Sequence, residues 1–200
     1  MWFHARRMEA SLDSSAPAFL RASPLRAHAC ALAVERHAGG RRWDGAPFVL
    51  HPLEVASILA NTGGSDEVVA AGMLHDVLEK TATVADDLCS AVGDEVTALV
   101  VAVSEDASIA DYAVRKRELR ERAAAAGRDA LAVLAADKVT KVRELRAQLL
   151  GGGSTHREAR LRLEHYEDTL ATVRERAPDL PLTRQLEFEL WALAAMPPRR

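Results

Sequence analysis

Ser65-Asp66-Glu67-Val68-Val69-Ala70-Ala71-Gly72-Met73-Leu74-His75-Asp76-Val77-Leu78-Glu79-Lys80 is the stretch on which the reading of the fold turns. Ser65 offers an N-cap, and Asp66 and Glu67 fall in the first turn, where the partial positive charge of a helix end favours carboxylates. An apolar run follows, so the pattern predicts a helix over 66–80 that sits inside the molecule. Within it His75 and Asp76 stand side by side where packing needs nothing polar. Alone, such a doublet fits ordinary core hydrogen bonding as well as ligation, because buried polar side chains usually find partners.

The same punctuation recurs on both sides. Ser23-Pro24 provides an N-cap and first helical position for a helix through Leu32 and Val34 that ends at Gly39-Gly40. His51-Pro52 opens a helix over 53–61, with Val55, Ile58 and Leu59 on one face and Gly63-Gly64 as its stop. Further on come a short helix over 83–92 and a strongly apolar one over 94–103. An Arg-rich helix is started by Ser108 and Asp111 in a loose capping box, and a long helix over 128–150 ends in Gly151-Gly152-Gly153. After that flexible joint, an amphipathic segment over 154–177 carries Leu161, Leu163, Tyr166, Leu170 and Val173 and is expected to fold back. A last helix covers 182–195. Only 42–50, with its Asp44-Gly45 turn, reads as a small hairpin or an ordered loop. Residues 23–196 are therefore read as one all-α domain, a bundle of about eight to nine helices. Residues 1–22 are an N-terminal extension for which disorder is left open.

Composition supports this class. With 48% hydrophobic and 28% charged residues among 200, the chain is neither a disordered segment nor a bundle of membrane spans. No apolar run approaches the roughly 20 residues that cross a bilayer, and the N-terminus lacks the apolar region of an export signal. A cytoplasmic protein without membrane attachment is expected. The net charge of −3, from 26 basic and 29 acidic residues, argues against nucleic acid as partner and leaves small phosphates open. Cys30 and Cys89 lack metal-site spacing and are expected to be small core residues in a reducing compartment.

Chemistry enters when other residues join the doublet. His51 lies at a helix start, Asp137 follows the apolar run Ala130 to Ala136, and Glu79 comes four residues after His75, on the same helical face. An ionised Asp137 in such a helix is costly unless paired or metal-bound. Two imidazoles and two carboxylates suit Mn2+, Fe2+ or Zn2+, with mixed ligation leaning to manganese. Such an ion polarises a phosphate and acidifies a water whose proton Glu79 could take, which is metal-assisted phosphoester hydrolysis.

The pattern His51, His75-Asp76, Asp137 resembles the H…HD…D signature of the HD phosphohydrolase superfamily. Around it stand Arg36-His37-Ala38-Gly39-Gly40-Arg41-Arg42, Pro47-Phe48-Val49-Leu50-His51-Pro52-Leu53-Glu54-Val55-Ala56, Leu74-His75-Asp76-Val77-Leu78-Glu79-Lys80-Thr81 and Ala136-Asp137-Lys138. These resemble the hydrolase domain of RelA/SpoT proteins and the small alarmone hydrolases of the metazoan SpoT-homologue type. The likeness extends through Arg162, Tyr166 and Thr183-Arg184-Gln185-Leu186-Glu187. It implies an HD-domain helical bundle that removes the 3′-pyrophosphate of (p)ppGpp, the stringent-response alarmone, by a Mn2+-activated water, giving GDP or GTP and pyrophosphate. It also implies His51, His75, Asp76 and Asp137 as metal ligands and Glu79 as the first acid of a water-activating pair. Arg42, and with it Arg162 and Tyr166, would lie near the nucleotide, although Tyr166 at helical spacing also fits plain core.

Two residues depart from the family pattern. Lys80 stands where the second acid of the pair is expected, removing an acceptor beside the water and adding positive charge. Lys141 replaces an expected Asn and could hold an extra phosphate. Trp43 stands where a basic residue is common, and could stack on a base. Lys116, in Arg115-Lys116-Arg117, is either a phosphate contact or part of a salt-bridged solvated face with Glu118 and Glu121. His4, His28, His37, His156 and His165 are expected on the surface. The departures keep two alternatives open: another nucleotide substrate, a ppApp-type alarmone or NADPH, and a degenerate HD domain that only binds a nucleotide or protein. A small-molecule nucleotide is the expected partner, and a homodimer is left open.

Overall fold

The computed structural model describes residues 16–151 and 156–196. Among these residues there is no strand, only an isolated bridge between Arg41 and Pro47. Nine helices of eight residues or more and two single turns make up the rest. They are α1 (Ala18–Arg21), α2 (Pro24–Arg36), α3 (Leu50–Asn61), α4 (Asp66–Leu74), α5 (Val77–Lys80), α6 (Ala85–Val92), α7 (Asp94–Val103), α8 (Tyr112–Ala126), α9 (Arg128–Gly151), α10 (His156–Arg176) and α11 (Pro181–Ala194). No helix among the described residues is long and apolar enough to cross a membrane. Residues 1–15 of the N-terminal extension, with His4, lie outside the described residues, as do Gly152, Gly153 and the side chain of His156; α1 seats Leu20 in the core.

The bundle is built around α9, which packs against α3, α4, α7, α8, α10 and α11. Every residue from Ala130 to Thr140 is buried, as the all-round apolar run requires of a central helix. Helix α4 is buried from Val68 to Leu74 and wedges between α2, α3 and α7. Gly72 makes this close approach work, because a Cβ there would lie 2.4 Å from Leu59 Cδ1 on α3. Helix α10 folds back on α9 through Tyr166, Leu170 and Val173. Glu189 of α11, itself buried, accepts from Arg143 (2.7 Å) and Arg146 (2.9 Å) and pins the last helix to α9.

The caps at Ser23 and Ser65 follow the sequence, each accepting from a helix N–H at 3.2 Å. Four expectations need correction. The helix expected over 66–80 is interrupted at His75-Asp76, where the Gly72 carbonyl receives His75 Nδ1–H (2.8 Å), and α5 starts afresh from Asp76. Glu79 therefore does not share an unbroken helical face with His75. The start of α8 is capped by Asp111 alone, whose Oδ1 accepts from Val114 N–H (2.9 Å), while Ser108 bonds to Asp106 in a separate turn. His37 and His165 are buried rather than superficial, His37 packing its ring on Phe48 at 4.9 Å. Cys30 is buried, but Cys89 is only partly so and its thiol points to Asp94 Oδ1 (2.9 Å). The 42–50 segment is an ordered loop, closed by Arg42 N–H to Ala46 O (2.8 Å) and turned at Gly45, whose φ of +83° suits only glycine without strain.

Candidate metal centre and its cavity

Three parts of the bundle converge on one buried point. His51 comes from the first turn of α3, His75 and Asp76 from the break between α4 and α5, and Asp137 from the middle of α9. His51 Nε2 lies 3.3 Å from His75 Nε2, 3.1 Å from Asp137 Oδ1 and 3.6 Å from Asp76 Oδ2. His75 Nε2 is 3.5 Å from both carboxylates. Atoms held about 2.1 Å from one ion in tetrahedral or octahedral geometry lie about 3.0 to 3.4 Å apart, so His51, His75 and Asp137 together are close to ligand spacing, with Asp76 Oδ2 at the edge of the set beside the two imidazoles. Asp76 occupies the N-cap position of α5, yet its side chain caps nothing there; Oδ2 is buried and has no hydrogen-bond partner among the described residues. An orphaned carboxylate oxygen facing two imidazoles is what a divalent cation would satisfy.

The ring orientations fit as well. His75 Nδ1–H donates to Gly72 O, which leaves Nε2 as the free lone pair. His51 Nδ1 faces Glu144 Oε1 (3.3 Å) and Thr140 Oγ1 (3.4 Å). The Thr140 hydroxyl already donates to Asp137 O (2.7 Å), so towards His51 both neighbours can only accept. Nδ1 therefore carries the proton, and Nε2 of both rings points to the common centre. Glu144 is held in turn by Arg42, 3.1 Å away.

Charge is arranged to match. Burial disfavours a charged His51, but Asp137 and Glu144 outweigh it and raise its pKa to about 9. Burial also opposes ionisation of Asp76, which His75, Lys141 and His51 overcome, bringing it to about 2. Asp137 is likewise held well below its ordinary value, against burial, by Lys138 and Lys141. Its oxygens divide the work: Oδ1 faces the imidazoles and Oδ2 receives Lys138 Nζ at 2.5 Å. The centre thus holds two ionised carboxylates and draws positive charge to itself: without an ion His51 also carries a proton on Nε2, the charge that a bound cation would supply in its place.

A cavity of about 320 Å³ opens beside His75, Asp76 and Asp137. Its walls bring together Glu79, Lys80, Lys116, Lys141, Arg162 and Tyr166, all singled out from sequence. Glu79 Oε1 accepts Glu105 N–H (2.7 Å). Lys116 pairs with Glu105 and lies 5.4 Å from the Tyr112 ring centre, so it belongs to the cavity and not to the solvated face formed by Arg117 with Glu121 and Arg122 with Glu118. Lys141 Nζ stands 3.7 Å from Asp137 Oδ1, and these carboxylates keep it protonated despite burial. Arg162 donates to Gln148 Oε1 (2.9 Å), and burial raises the Tyr166 pKa. Arg42 and Trp43 are not brought into the cavity wall: Arg42 turns to Glu144, and Trp43 is 46% exposed beside Gly151. A larger groove of about 520 Å³ between α8 and α10 contains none of the ligand residues.

Sequence reasoning passed over Lys138, Glu144, Gln148 and His165, which also line the cavity. Glu144 could have been found, since it follows Asp137 by seven residues, two helical turns on one face. Lys138 follows a ligand directly inside an apolar run, an equally readable sign. His165 carries no such mark, because its surroundings on α10 are polar.

An HD domain family model matches residues 29–164. The chain is 36% identical over 129 residues to guanosine-3′,5′-bis(diphosphate) 3′-pyrophosphohydrolase MESH1 of Danio rerio, covering 62% of this chain and 71% of that protein. It is 35% identical over 118 residues to a probable GTP pyrophosphokinase of Mycobacterium leprae, 58% of this chain but only 15% of that longer protein. A solved structure described as a metazoan ortholog of SpoT that hydrolyzes ppGpp superposes with a TM-score of 0.75 at 24% identity, covering 87% of this chain and 98% of that one, and shows the same fold. With the matched span containing His51, His75, Asp76 and Asp137, the chain belongs to the HD domain family.

Proposed function

We propose that the chain is a Mn2+-dependent (p)ppGpp 3′-pyrophosphohydrolase that converts the alarmone to GDP or GTP and pyrophosphate. One observation carries this reading: the orphaned Asp76 Oδ2, among two imidazoles and Asp137, borders a cavity lined by Lys80, Lys116, Lys138, Lys141 and Arg162. Cation ligands on one side and phosphate partners on the other are what hydrolysis of a diphosphate needs. The family relatives whose names specify this reaction support the same choice.

His51, His75, Asp76 and Asp137 would hold the ion, which when bound supplies Lewis acidity and an acidified water. Glu79 has Oε1 engaged by Glu105 N–H, and its other oxygen remains to orient the attacking water and take its proton. The water oxygen bonds to the 3′ phosphorus, the bond to O3′ breaks, and O3′ leaves as an alcohol by taking up the proton that Glu79 received from the water. Lys116, Lys141 and Arg162 neutralise the diphosphate as charge shifts onto it. Lys138 holds Asp137 Oδ2 so that Oδ1 keeps facing the centre. Mn2+ is chosen on the mixed nitrogen and oxygen donor set. A cytoplasmic setting suits the free thiols of Cys30 and Cys89.

Lys141 favours a second reading, since an ammonium beside the centre could hold an additional phosphate, as on a more heavily phosphorylated nucleotide or NADPH. Turnover of ppGpp, pppGpp, ppApp and NADPH, with Mn2+ and with chelator, tests both. Manganese-dependent pyrophosphate release from ppGpp is expected, and Asp76→Ala should lose metal and turnover together. Silence across the panel from a protein holding one metal per chain would replace the hydrolase with a nucleotide-binding role.

A further inference from the structure

His165 lies on α10, only 4% exposed, and lines the same cavity as the ligand residues. Arg120 Nη1, on α8, sits 2.9 Å from its Nδ1. A guanidinium has donors and no acceptor, so Nδ1 must accept, and the single proton of a neutral ring is left on Nε2. Arg120 is itself fixed by Asp168 at 2.9 Å, which keeps this tautomer locked. Yet Nε2 is buried and has no hydrogen-bond partner among the described residues. Buried donors are nearly always matched, so an unmatched one in a cavity wall marks the place of a ligand acceptor.

The surroundings define the acceptor. Lys138 and Lys116 lie close enough to act on the ring; together with burial, and with Arg120, they hold its pKa down to about 2 against the opposing charge of Asp137. Two ammonium neighbours call for an anionic acceptor. Each is already paired, Lys116 with Glu105 and Lys138 with Asp137, so a neutral N–H adds direction without adding another charge.

We infer that His165 Nε2–H donates to a phosphate oxygen of the bound nucleotide, forming with Lys116 and Lys138 a phosphate subsite on the wall made by α8, α9 and α10. The subsite rests on the phosphohydrolase reading of the cavity and names a substrate contact within it. Substrate binding, not metal retention, is its role, and the imidazole stays a donor across neutral pH because it does not titrate there.

The test uses the metal-loaded full chain with His165→Phe, which keeps ring shape without a donor, and His165→Asn, which restores an N–H. The Phe variant should raise KM for ppGpp, and Kd for inorganic pyrophosphate, by about 10-fold or more, with kcat and metal stoichiometry within about twofold of the unchanged protein. The Asn variant should recover most of the loss. Unchanged KM and Kd in a folded, metal-loaded Phe variant overturn the subsite and leave the hydrolase reading intact. Weakened pyrophosphate binding in a protein that turns over no nucleotide supports the subsite and removes the hydrolase reading. Nitrogen-15 NMR of the unmodified protein needs no variant to fold: Nε2 should be protonated and its proton should shift when pyrophosphate is added. Protonation at Nδ1 instead would overturn the inference.

Discussion

Glu144 Oε1 stands 3.3 Å from Nδ1 of His51, on the far side of the ring from the metal centre. Arg42 closes the chain of contacts at 3.1 Å from the same carboxylate. A carboxylate behind a ligating imidazole fixes its tautomer and orientation, and removal of such a partner typically costs 10- to 100-fold in metal affinity. Glu144→Ala should therefore weaken Mn2+ binding by about 10-fold or more, and Glu144→Gln by less, because an amide oxygen can still accept. Arg42→Ala should follow in the same direction, with a smaller effect. Calorimetric titration of each variant with Mn2+ decides this; a KM change in Arg42→Ala at unaltered metal affinity would return Arg42 to the nucleotide.

Gly72 joins packing to ligation. Its missing side chain lets α4 approach Leu59 on α3, and its carbonyl orients His75. In Gly72→Ala the new Cβ would lie 2.4 Å from Leu59 Cδ1 and 3.4 Å from Val55 Cγ1, so the helices that carry His75 and His51 must separate or repack. Overpacking of this kind costs about 1 to 3 kcal/mol. The variant should unfold at lower denaturant concentration and bind Mn2+ more weakly. Full metal affinity in a destabilised protein would separate the two effects.

The parts of the fold that were readable are those fixed by short-range chemistry. Ser23, Ser65 and Pro24 mark helix starts because capping depends on a few neighbouring atoms, and the apolar run before Asp137 marks α9 as central because no other place could bury it. The break at His75-Asp76 was not readable. Both residues keep near-helical backbone angles, and the contact at the break, the ring of His75 reaching back to the Gly72 carbonyl, leaves no mark in the sequence. The outer contacts escaped for a related reason. Arg42 is a reasonable nucleotide contact until Glu144, 102 positions away in sequence, is seen to claim it. His165 looked superficial on a charged helix until α8 covered it through Arg120.

Lys80 is exposed at the cavity edge, next to Glu79. An ammonium there cannot accept a proton and adds positive charge beside the attacking water. Lys80→Asp should raise kcat for ppGpp or reorder the substrate panel, and an exposed position limits the change in stability to about 0.5 kcal/mol. Steady-state rates across the panel check this. A variant with unaltered rates and ranking would make Lys80 a bystander.

His165 also ties stability to acidity. Its pKa falls to about 2 in the folded chain, first through burial and then through Lys138, Lys116 and Arg120, against about 6.5 for an unfolded histidine. The unfolded chain therefore binds a proton that the folded chain refuses once pH drops below about 6.5, and by linkage folding stability falls as pH falls through that window. The slope from this one group approaches about 1.4 kcal/mol per pH unit. Urea unfolding of the unmodified protein and of His165→Asn at pH 7 and pH 5 isolates it. The unmodified protein should lose roughly 1 to 2 kcal/mol more than the variant between the two pH values. Equal losses would mean that the folded protein accepts the proton, and that Arg120 does not hold the ring neutral.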